Sequence, residues 1–529
     1  MRILALTIIF LFHSQAYAQK QDNVWCMGHN GGIDFNTNPP TKFESEIYSI
    51  ETVASISDRH TGALLFYTDG GNIWDAGHNI MQNGTGIGQD KAPYSSVQGA
   101  VIVPFINDEN RYYVFTLPAM NPVAGQLFYS IVDMRLNNGL GGVDSSAKKV
   151  KTGEGFNEAM AAMQGCGIIW LVVQKRGTGD FYAYKISADG IAATPVISSP
   201  GYRQRPSSQA GIRASADYRK IASIGKYFDD LHKEPYIALQ DFDAATGIIS
   251  NGIVIDTGVS TMHYGCEFSP NGKFLYVTEG NKVYQYNISL STAAAVAASK
   301  TAVGESSSSL LNNLQLRDDG NIYIAGYESN YLDRLSNCDA AAPGCVFTGK
   351  AVEIGGAATY NLPAKIVLPK TPVEGNNTKK DTTTCSGLPV ILKSKSYNAT
   401  WQDGSNSNVF SADGAGVYWV RGYNEDCKLS TDTFVVRDCH LYFPSAFSPN
   451  GDGRNDIARI LGDVGALTDY SLNIYNRWGQ LVFTGTNPHE GWNGMQGASL
   501  VDLGVYFYYI QYKYNGKKEL MKGDIVLIR

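Results

Sequence analysis

The chain has no surplus of positive charge: 43 Lys and Arg stand against 49 Asp and Glu over 529 residues, and they are scattered rather than massed. Phosphate binding needs a concentrated basic face, so nucleic acid is not an expected partner. Past the first few residues no run is apolar enough to cross a bilayer, which excludes a spanning helix in the body of the chain. No two cysteines form a CxxC pair, so zinc is not expected. HExxH, GxSxG and a phosphate-cradling glycine loop are all missing, and with them the usual signatures of catalysis. From Gln19 to about Leu368 there is almost no helical periodicity.

What is present begins with the first eighteen residues. Arg2 gives a positive start, Ile3 to Phe12 is apolar except for Thr7, and Ala16-Tyr17-Ala18 is a small-x-small cleavage pattern. This reads as a secretory signal peptide cut after Ala18. The run is half the roughly 20 residues that a membrane anchor needs. Export permits disulfides, and the cysteines number eight: Cys26, Cys166, Cys266, Cys338, Cys345, Cys385, Cys427 and Cys439. A Cys338–Cys345 bridge across the loop Asp339 to Gly344 is expected to remove roughly 2 to 3 kcal/mol of unfolded-state loop entropy. Cys166 and Cys266, each beside a glycine in apolar surroundings, read as buried thiols.

Residues 19–368 hold many short runs of Val, Ile, Tyr and Phe separated by Gly, Asn and Asp turns, among them Leu64 to Thr68, Ala100 to Val103, Arg111 to Phe115 and Ile168 to Val173. Phe268 to Ile288 and Leu316 to Leu335 look like copies of one turn-strand-turn-strand unit. Repeated antiparallel units over about 350 residues, at roughly 40 to 50 residues per blade, predict an all-β propeller of about seven blades. Two stacked sandwiches are the alternative. Residues 369–384 are polar, carry two prolines and read as a linker. Residues 385–439 hold four strand-like runs, with Trp401 between Cys385 and Cys427 as in an immunoglobulin-like core, which makes those two cysteines bridge candidates and leaves Cys439 without a partner. Residues 440–529 alternate again and predict a second sandwich.

Several polar clusters are candidate sites. Asn450, Asp452, Asn455 and Asp456 offer hard oxygens to calcium, yet Arg454 and Leu461 stand where an EF-type loop wants acids, so an Asx-rich turn is the preferred reading. Asp69, Asp75 and His78 cluster near two turns, His29 and Asp34 flank a glycine pair, and His263 precedes Tyr264 and Glu267. Such groups can serve a hydrolase, or anchor turns. Arg203 and Arg205 could meet an anion. The 32 tyrosines and 21 phenylalanines could stack on carbohydrate, but alternating strand positions claim most of them for packing. No cofactor is indicated beyond the calcium possibility.

Five motifs in order carry a resemblance: Phe443-Pro-Ser-Ala-Phe-Ser-Pro-Asn-Gly-Asp-Gly-Arg-Asn-Asp456, Ile474-Tyr-Asn-Arg-Trp-Gly-Gln-Leu-Val-Phe483, Trp492-Asn-Gly494, Gly504-Val-Tyr-Phe-Tyr508 and Lys522-Gly-Asp-Ile-Val-Leu-Ile-Arg529. Together they resemble the gliding motility-associated C-terminal domain, the type B sorting domain of the type IX secretion system. The resemblance implies an immunoglobulin-like sandwich that hands its cargo to that machinery after a signal peptide has brought it to the periplasm. Asp502-Leu503-Gly504 departs from the family's more usual Pro-Asp-Gly turn. Leu65 to Gly70, Asn72 to Asp75, His78 to Gly84 and Glu267 to Gly272 resemble the propeller-like domain of such secreted proteins, and residues 385–439 are similar to their immunoglobulin-like or PKD-like spacers.

The expectation is an exported protein, secreted or held at the outer-membrane surface, whose propeller binds a glycan or another surface polymer without catalysis. A secreted propeller hydrolase or lyase is the alternative, and a role in gliding motility a further one.

Overall fold

A computed structural model describes residues 19–88, 95–119, 125–201, 209–226, 236–256, 263–375, 378–384, 389–394, 396–424, 426–438, 441–462, 464–514 and 516–528. The signal peptide with Ala18, the Arg203–Arg205 pair, Cys385 and Cys439 lie outside them. The chain divides into two compact units, Met1–Thr371 and Pro372–Arg529.

The first unit is a ring of seven blades. Its inner strands are, in order, Val24–Met27, Ala54–Ser57, Ala100–Pro104, Val150–Gln164, Gln209–Ala214, His263–Phe268 and Leu311–Leu316. Leu64–Thr68 forms the strand its Val/Ile/Tyr/Phe-type composition predicts, and Asp69 turns the chain into Asn72–Asp75. A blade alone leaves both faces apolar, so neighbours must cover them. Seven buried clusters do this. Phe66 shares one with Val114, Phe115 with Leu171, Trp170 with Ile221, Leu239 with Phe268, Tyr276 with Ile324, Trp25 with Tyr323, and Cys26 with Tyr67. The last two sit on either side of the first blade and so close the ring. Each fully buried ring or large aliphatic side chain contributes roughly 1.5 to 3 kcal/mol.

Two long strands serve two blades each. Val150–Gln164 pairs with Gly125–Asp133 through its first half and with Ile169–Lys175 through its second. Val346–Ala358 pairs with Ser329–Ser336 of the seventh blade and, near Gly355 and Ala357, with His29–Asp34 of the first. Gly355 permits that closure, because a Cβ there would lie 1.7 Å from the Phe43 carbonyl oxygen.

Residues 359–370 leave the last blade and run down the central channel. At one mouth Tyr360 N–H donates to Ile50 O at 3.2 Å, Asn313 N–H donates to Tyr360 O at 3.0 Å, and Asn361 Nδ2 donates to the carbonyls of Glu51 and Val97. At the other, Ile366 N–H donates to Asp22 Oδ1 at 2.7 Å, Gln164 Nε2 donates to Leu368 O at 2.8 Å, and Lys370 pairs with Gly165 and Gly167. Leu362, Ile366 and Val367 are buried against three different interblade clusters. The segment fills some of the channel and fastens several blades to one another.

The cysteines depart from expectation. Cys338 and Cys345 are buried thiols in hydrogen-bond contact, with no bridge between them. The loop Asp339 to Gly344 brings the two sulfurs into contact without joining them. Donation from Cys338 and Tyr276 holds the Cys345 thiol down at about 7 against burial, while Cys338 is pushed well up by the same sulfur contact and by burial. Cys166 is disulfide-bonded rather than a free thiol. It is half-buried in the turn after Val150–Gln164, where a sulfur is reachable, whereas Cys26 and Cys266 are sealed in interblade clusters and stay reduced.

The second unit begins earlier than its sequence suggests. Thr378–Thr384, expected to be linker, is a strand that pairs in parallel with Lys428–Asp438 from Thr378↔Asp432 to Thr384↔Asp438. Four β-branched threonines in seven residues suit an edge strand while giving no apolar alternation to read. The sheet continues through Gly416–Tyr423 to Tyr397–Trp401, and the two-stranded antiparallel sheet of Val390–Lys393 with Val409–Ala412 shares its core. Trp401 is buried there, in cluster with Phe434 and Leu392. Cys427 is disulfide-bonded.

The terminal sandwich orders its main sheet as Ala446–Phe447, Lys517–Leu527, Gly504–Tyr514, Leu467–Tyr475, Leu481–Gly485. Its core gathers Phe443, Phe447, Trp492, Tyr506, Ile510 and Ile525.

Candidate ligand-binding cavity

Beside the threaded segment lies a cavity of about 260 Å³. Four inner strands, Val150–Gln164, Gln209–Ala214, His263–Phe268 and Leu311–Leu316, wall it together with Ala364 to Leu368. Strand alternation sends Ile212, Phe268 and Leu314 into interblade clusters, which leaves the residues beside them, Arg213, Glu267 and Gln315, for the channel side.

Arg213 reaches across two blades. Its Nη2 donates to Asn313 Oδ1 at 2.6 Å and to Leu314 O at 3.2 Å, and its Nε sits 3.8 Å from Glu267 Oε2 with no hydrogen-bond partner. Glu267 accepts from Phe268 N–H at 2.9 Å and from Leu316 N–H at 3.1 Å. Burial pushes its carboxyl above the usual range, against the pull of Arg213 and those two donors. Gln315 is 5% exposed; its Nε2 donates to Leu316 O at 3.1 Å while its Oε1 accepts nothing. A buried polar atom without a partner costs roughly 1 to 3 kcal/mol, and Gln315 Oε1 and Arg213 Nε are two such atoms on residues of this wall.

Lys365, on the threaded segment, donates to Asp318 Oδ1 at 2.7 Å; burial works against its charge, but Asp318 holds its pKa above the ordinary value. Tyr218 lines the same space, its phenol pushed up to about 12 by burial. Behind Lys365 a smaller pocket holds Asp22, whose carboxyl burial drives up to about 7 against the Ile366 N–H, and whose Oδ2 has no partner. The Arg317 guanidinium lies 3.6 Å from the centre of the Phe35 ring, with its charge disfavoured by burial. The arrangement can hold a small polar molecule. It is poor in reacting groups: Glu267 is the one carboxylate among the described residues lining the larger cavity, and both its oxygens are engaged.

Of the described residues marked in the sequence, only Glu267 is at this site. Asp69 accepts from Gly71 and Asn72 N–H at 2.9 and 2.7 Å, and burial raises its carboxyl to about 6. Asp75 accepts from Gly77 and Asn79 N–H at 2.8 and 3.1 Å. Both are turn anchors. His78 Nδ1 lies 3.0 Å from Tyr67 OH, His29 stacks on Tyr48 at 4.4 Å, and Asp34 accepts from Asn36 N–H. His263 is at the opposite end of its strand from Glu267, 3.8 Å from Glu279 Oε2 and 4.0 Å from Asp256 Oδ2, where burial lowers its pKa against both carboxylates. Arg213, Gln315, Lys365 and Asp22 carry no sequence signal beyond being polar residues near strand termini.

In the terminal sandwich the polar motifs close on themselves. Asp456 accepts from Gly451 N–H at 2.7 Å and Gly453 N–H at 2.8 Å, Asn450 Oδ1 from Asp452 N–H at 3.0 Å, and Asp452 Oδ1 from Arg454 N–H at 2.7 Å. Gly451 and Gly453 both stand at φ 81°, and Asn455 at φ 51°. These oxygens serve the loop's own amides, as an Asx turn requires. Among the described residues no group of three His, Cys, Asp or Glu is placed to hold a metal ion. Asn476 Oδ1 likewise accepts from Trp478 and Gln480 N–H, both at 3.0 Å, which leaves Trp478 76% exposed at the turn. Trp492 is fully buried and donates to Met495 O at 2.8 Å. Gly504 keeps the departing turn, at φ 140°, and Tyr506 OH donates to Asp502 O at 2.6 Å.

Residues 441–527 match the CHU_C type IX secretion signal domain. That signal implies export through type IX secretion, out of the cell to its surface or beyond. No curated protein matches the chain. Among solved structures it is similar to PorZ, an essential bacterial surface component of the type IX secretion system of Porphyromonas gingivalis, at 12% identity and TM-score 0.27, covering 96% of this chain and 69% of that one. A putative 6-phosphogluconolactonase from Bacteroides uniformis is similar at 13% identity and TM-score 0.33, over 73% and 97% of the two chains. The β-propeller domain of Cps50 (Swd1) from Myceliophteria thermophila is similar at 11% and 0.30, over 61% and 94%. At these scores the likenesses carry no functional argument. Among the described residues no helix is long and apolar enough to cross a membrane.

Proposed function

We propose that this is a binding protein delivered outside the cell by its CHU_C signal domain, with the channel cavity of the propeller as its ligand site. The observation that carries the reading is a cavity of about 260 Å³ in whose wall Arg213, Glu267 and Gln315 from three blades meet Lys365 from the threaded segment. A concave site with a few convergent polar groups set among apolar ones is the ordinary form of a ligand pocket. Binding is preferred to turnover because acid–base chemistry needs a group free to exchange protons, and Glu267 already accepts two backbone donors. The polymer-binding and adhesive role belongs to this proposal, as does the handing of the chain to the secretion machinery through residues 441–527.

Removing residues 441–529 tests delivery: the shortened protein is expected to stay in the periplasm, and its arrival at the surface or in the medium would remove the sorting role. Thermal-shift screening of the full chain against glycans and surface polymers tests binding. Release of a cleaved product from any of them would reverse the preference for binding over catalysis.

A further inference from the structure

We infer that Cys338 and Cys345 are a reversible redox couple, joined by thiol–disulfide exchange once the protein has left the cell, and that the bond fastens the seventh blade to the sixth. The four buried thiols fall into two kinds. Cys26 and Cys266 each stand in an interblade cluster that holds no other cysteine. Cys338 and Cys345 lie in hydrogen-bond contact, and a disulfide needs their sulfurs drawn to about 2.05 Å, a short step from that contact. The CHU_C signal carries the chain out of the reducing cytosol into surroundings where disulfides form and persist.

The bond would sit on a joint of the ring. Cys338 follows the strand Ser329–Ser336 of the seventh blade, and Cys345 leads directly into Val346–Ala358, the strand that closes onto the first. The loop between them is held to the sixth blade: Tyr276 OH donates to Cys338 O at 2.7 Å, Gln285 Nε2 to Ala340 O at 2.9 Å, Ala342 N–H to Gln285 Oε1 at 2.9 Å and Asn271 N–H to Asp339 Oδ1 at 2.8 Å. Tying the ends of the loop together keeps these four contacts in register. Access is through the same loop. Both sulfurs are buried, but Asn337, Asp339, Ala341, Pro343 and Gly344 are exposed around them, so lifting this short segment uncovers Cys345 while the blade stays folded.

Cys345 is the attacking sulfur. Cys338 and Tyr276 hold its thiol at about 7, and a thiol with a pKa near the ambient pH is the effective nucleophile in exchange. The oxidant is a disulfide, either a small one or that of a thiol oxidoreductase. The Cys345 thiolate attacks one of its sulfurs, giving a mixed disulfide and releasing one thiol; Cys338 then attacks Cys345 Sγ and releases the second. Two electrons pass to the oxidant, and the two protein thiol protons end on its sulfurs.

The test uses the full chain without its signal peptide, equilibrated in the folded state in glutathione buffers from fully reduced to fully oxidised, then quenched with acid, unfolded, alkylated and digested with trypsin. Cleavage after Arg334 and Lys350 leaves both cysteines in one peptide. Two alkyl groups mark the thiols; none, with two hydrogens fewer, marks the bridge. The bridge is expected to replace the thiols as the oxidised fraction rises and to revert as it falls, while Cys26 and Cys266 stay alkylated throughout. The melting temperature should rise with it by about 2 to 5 °C, read at ratios where the Cys166 peptide does not change. Cys338→Ser is expected to stall with one glutathione on Cys345, and Cys345→Ser to react at least tenfold more slowly. If the pair stays alkylated in excess oxidised glutathione and bridges only in denaturant, alongside reaction of Cys26 and Cys266, it is two inert core thiols and the inference fails. A bridge that reverts only on unfolding removes the reversibility, one that leaves the melting temperature unchanged removes the fastening, and faster reaction of Cys345→Ser reverses the choice of attacking sulfur.

Discussion

The terminal sandwich and the propeller channel both gather polar side chains, and they treat them in opposite ways. In the loop Asn450 to Asp456 the side-chain oxygens of Asn450, Asp452 and Asp456 accept from amides within the same seven residues. In the channel, groups from four blades and the threaded segment converge from distant stretches of the chain, and some of their atoms stay unpaired. Local hydrogen bonds make a turn, which shapes the chain and asks for nothing more. Long-range convergence of polar groups around a cavity is what the proposed binding site rests on.

The contrast can be broken in several ways. The largest effect is expected in the sandwich core: Trp492→Ala should cost about 3 to 5 kcal/mol, because a fully buried indole leaves a cavity behind. Denaturant melts of the full chain check this, and the exported fraction should fall with the fold. Next comes Arg213→Met, which strands the buried Glu267 carboxylate and should cost roughly 3 kcal/mol at neutral pH. Adding Glu267→Leu should recover some of that loss; if Arg213→Met alone is silent, the channel is no more demanding than the loop.

Asp22 gives a pH signature. Its native carboxyl keeps its proton to about pH 7, while an unfolded aspartate releases it near 4, so between those values the native state binds the extra proton. Its contribution to stability therefore falls as pH rises from about 4 to about 7 and is level above that. Asp22→Asn removes this dependence, and its melting temperature relative to the unsubstituted protein should climb across the same window. The smallest effect belongs to Asp456→Ala, a slight lowering of the melting temperature through the loss of two amide bonds. Millimolar calcium should leave both forms unchanged; a calcium-dependent rise in the unsubstituted protein would restore the metal reading of the loop.

What can be read from the sequence follows the same divide. Strands such as Leu64–Thr68 and the seven-blade count follow from local alternation and turn residues, which act within a few positions. The Asx turn at Asp456 is legible for that reason. Thr378–Thr384 reads as linker because threonine supports a strand without marking it by hydrophobicity. The pairing states of Cys338, Cys345 and Cys166 depend on which sulfurs the fold brings within bonding distance, which spacing does not reveal. The cavity is hardly legible at all. Arg213 between Ile212 and Ala214, or Gln315 between Leu314 and Leu316, looks like any solvent-facing strand position until the ring closes around it. Of its groups, only Glu267 stands out in the sequence.

The passage of residues 359–370 down the channel turns the propeller from a ring into a wheel on an axle that is its own chain. The blades of such a wheel are tied to one another at the hub as well as through their faces. The passage also sets where the domain can be cut: ending the chain at Ala358, the end of the last strand, withdraws the axle, and the smallest portion with a complete hub extends to Lys370. Any pull on the chain beyond Thr371 is borne first by the bonds of Lys370, Leu368 and Ile366, the same stretch that forms one wall of the cavity. Load on the tail and occupancy of the cavity therefore act on one short length of backbone.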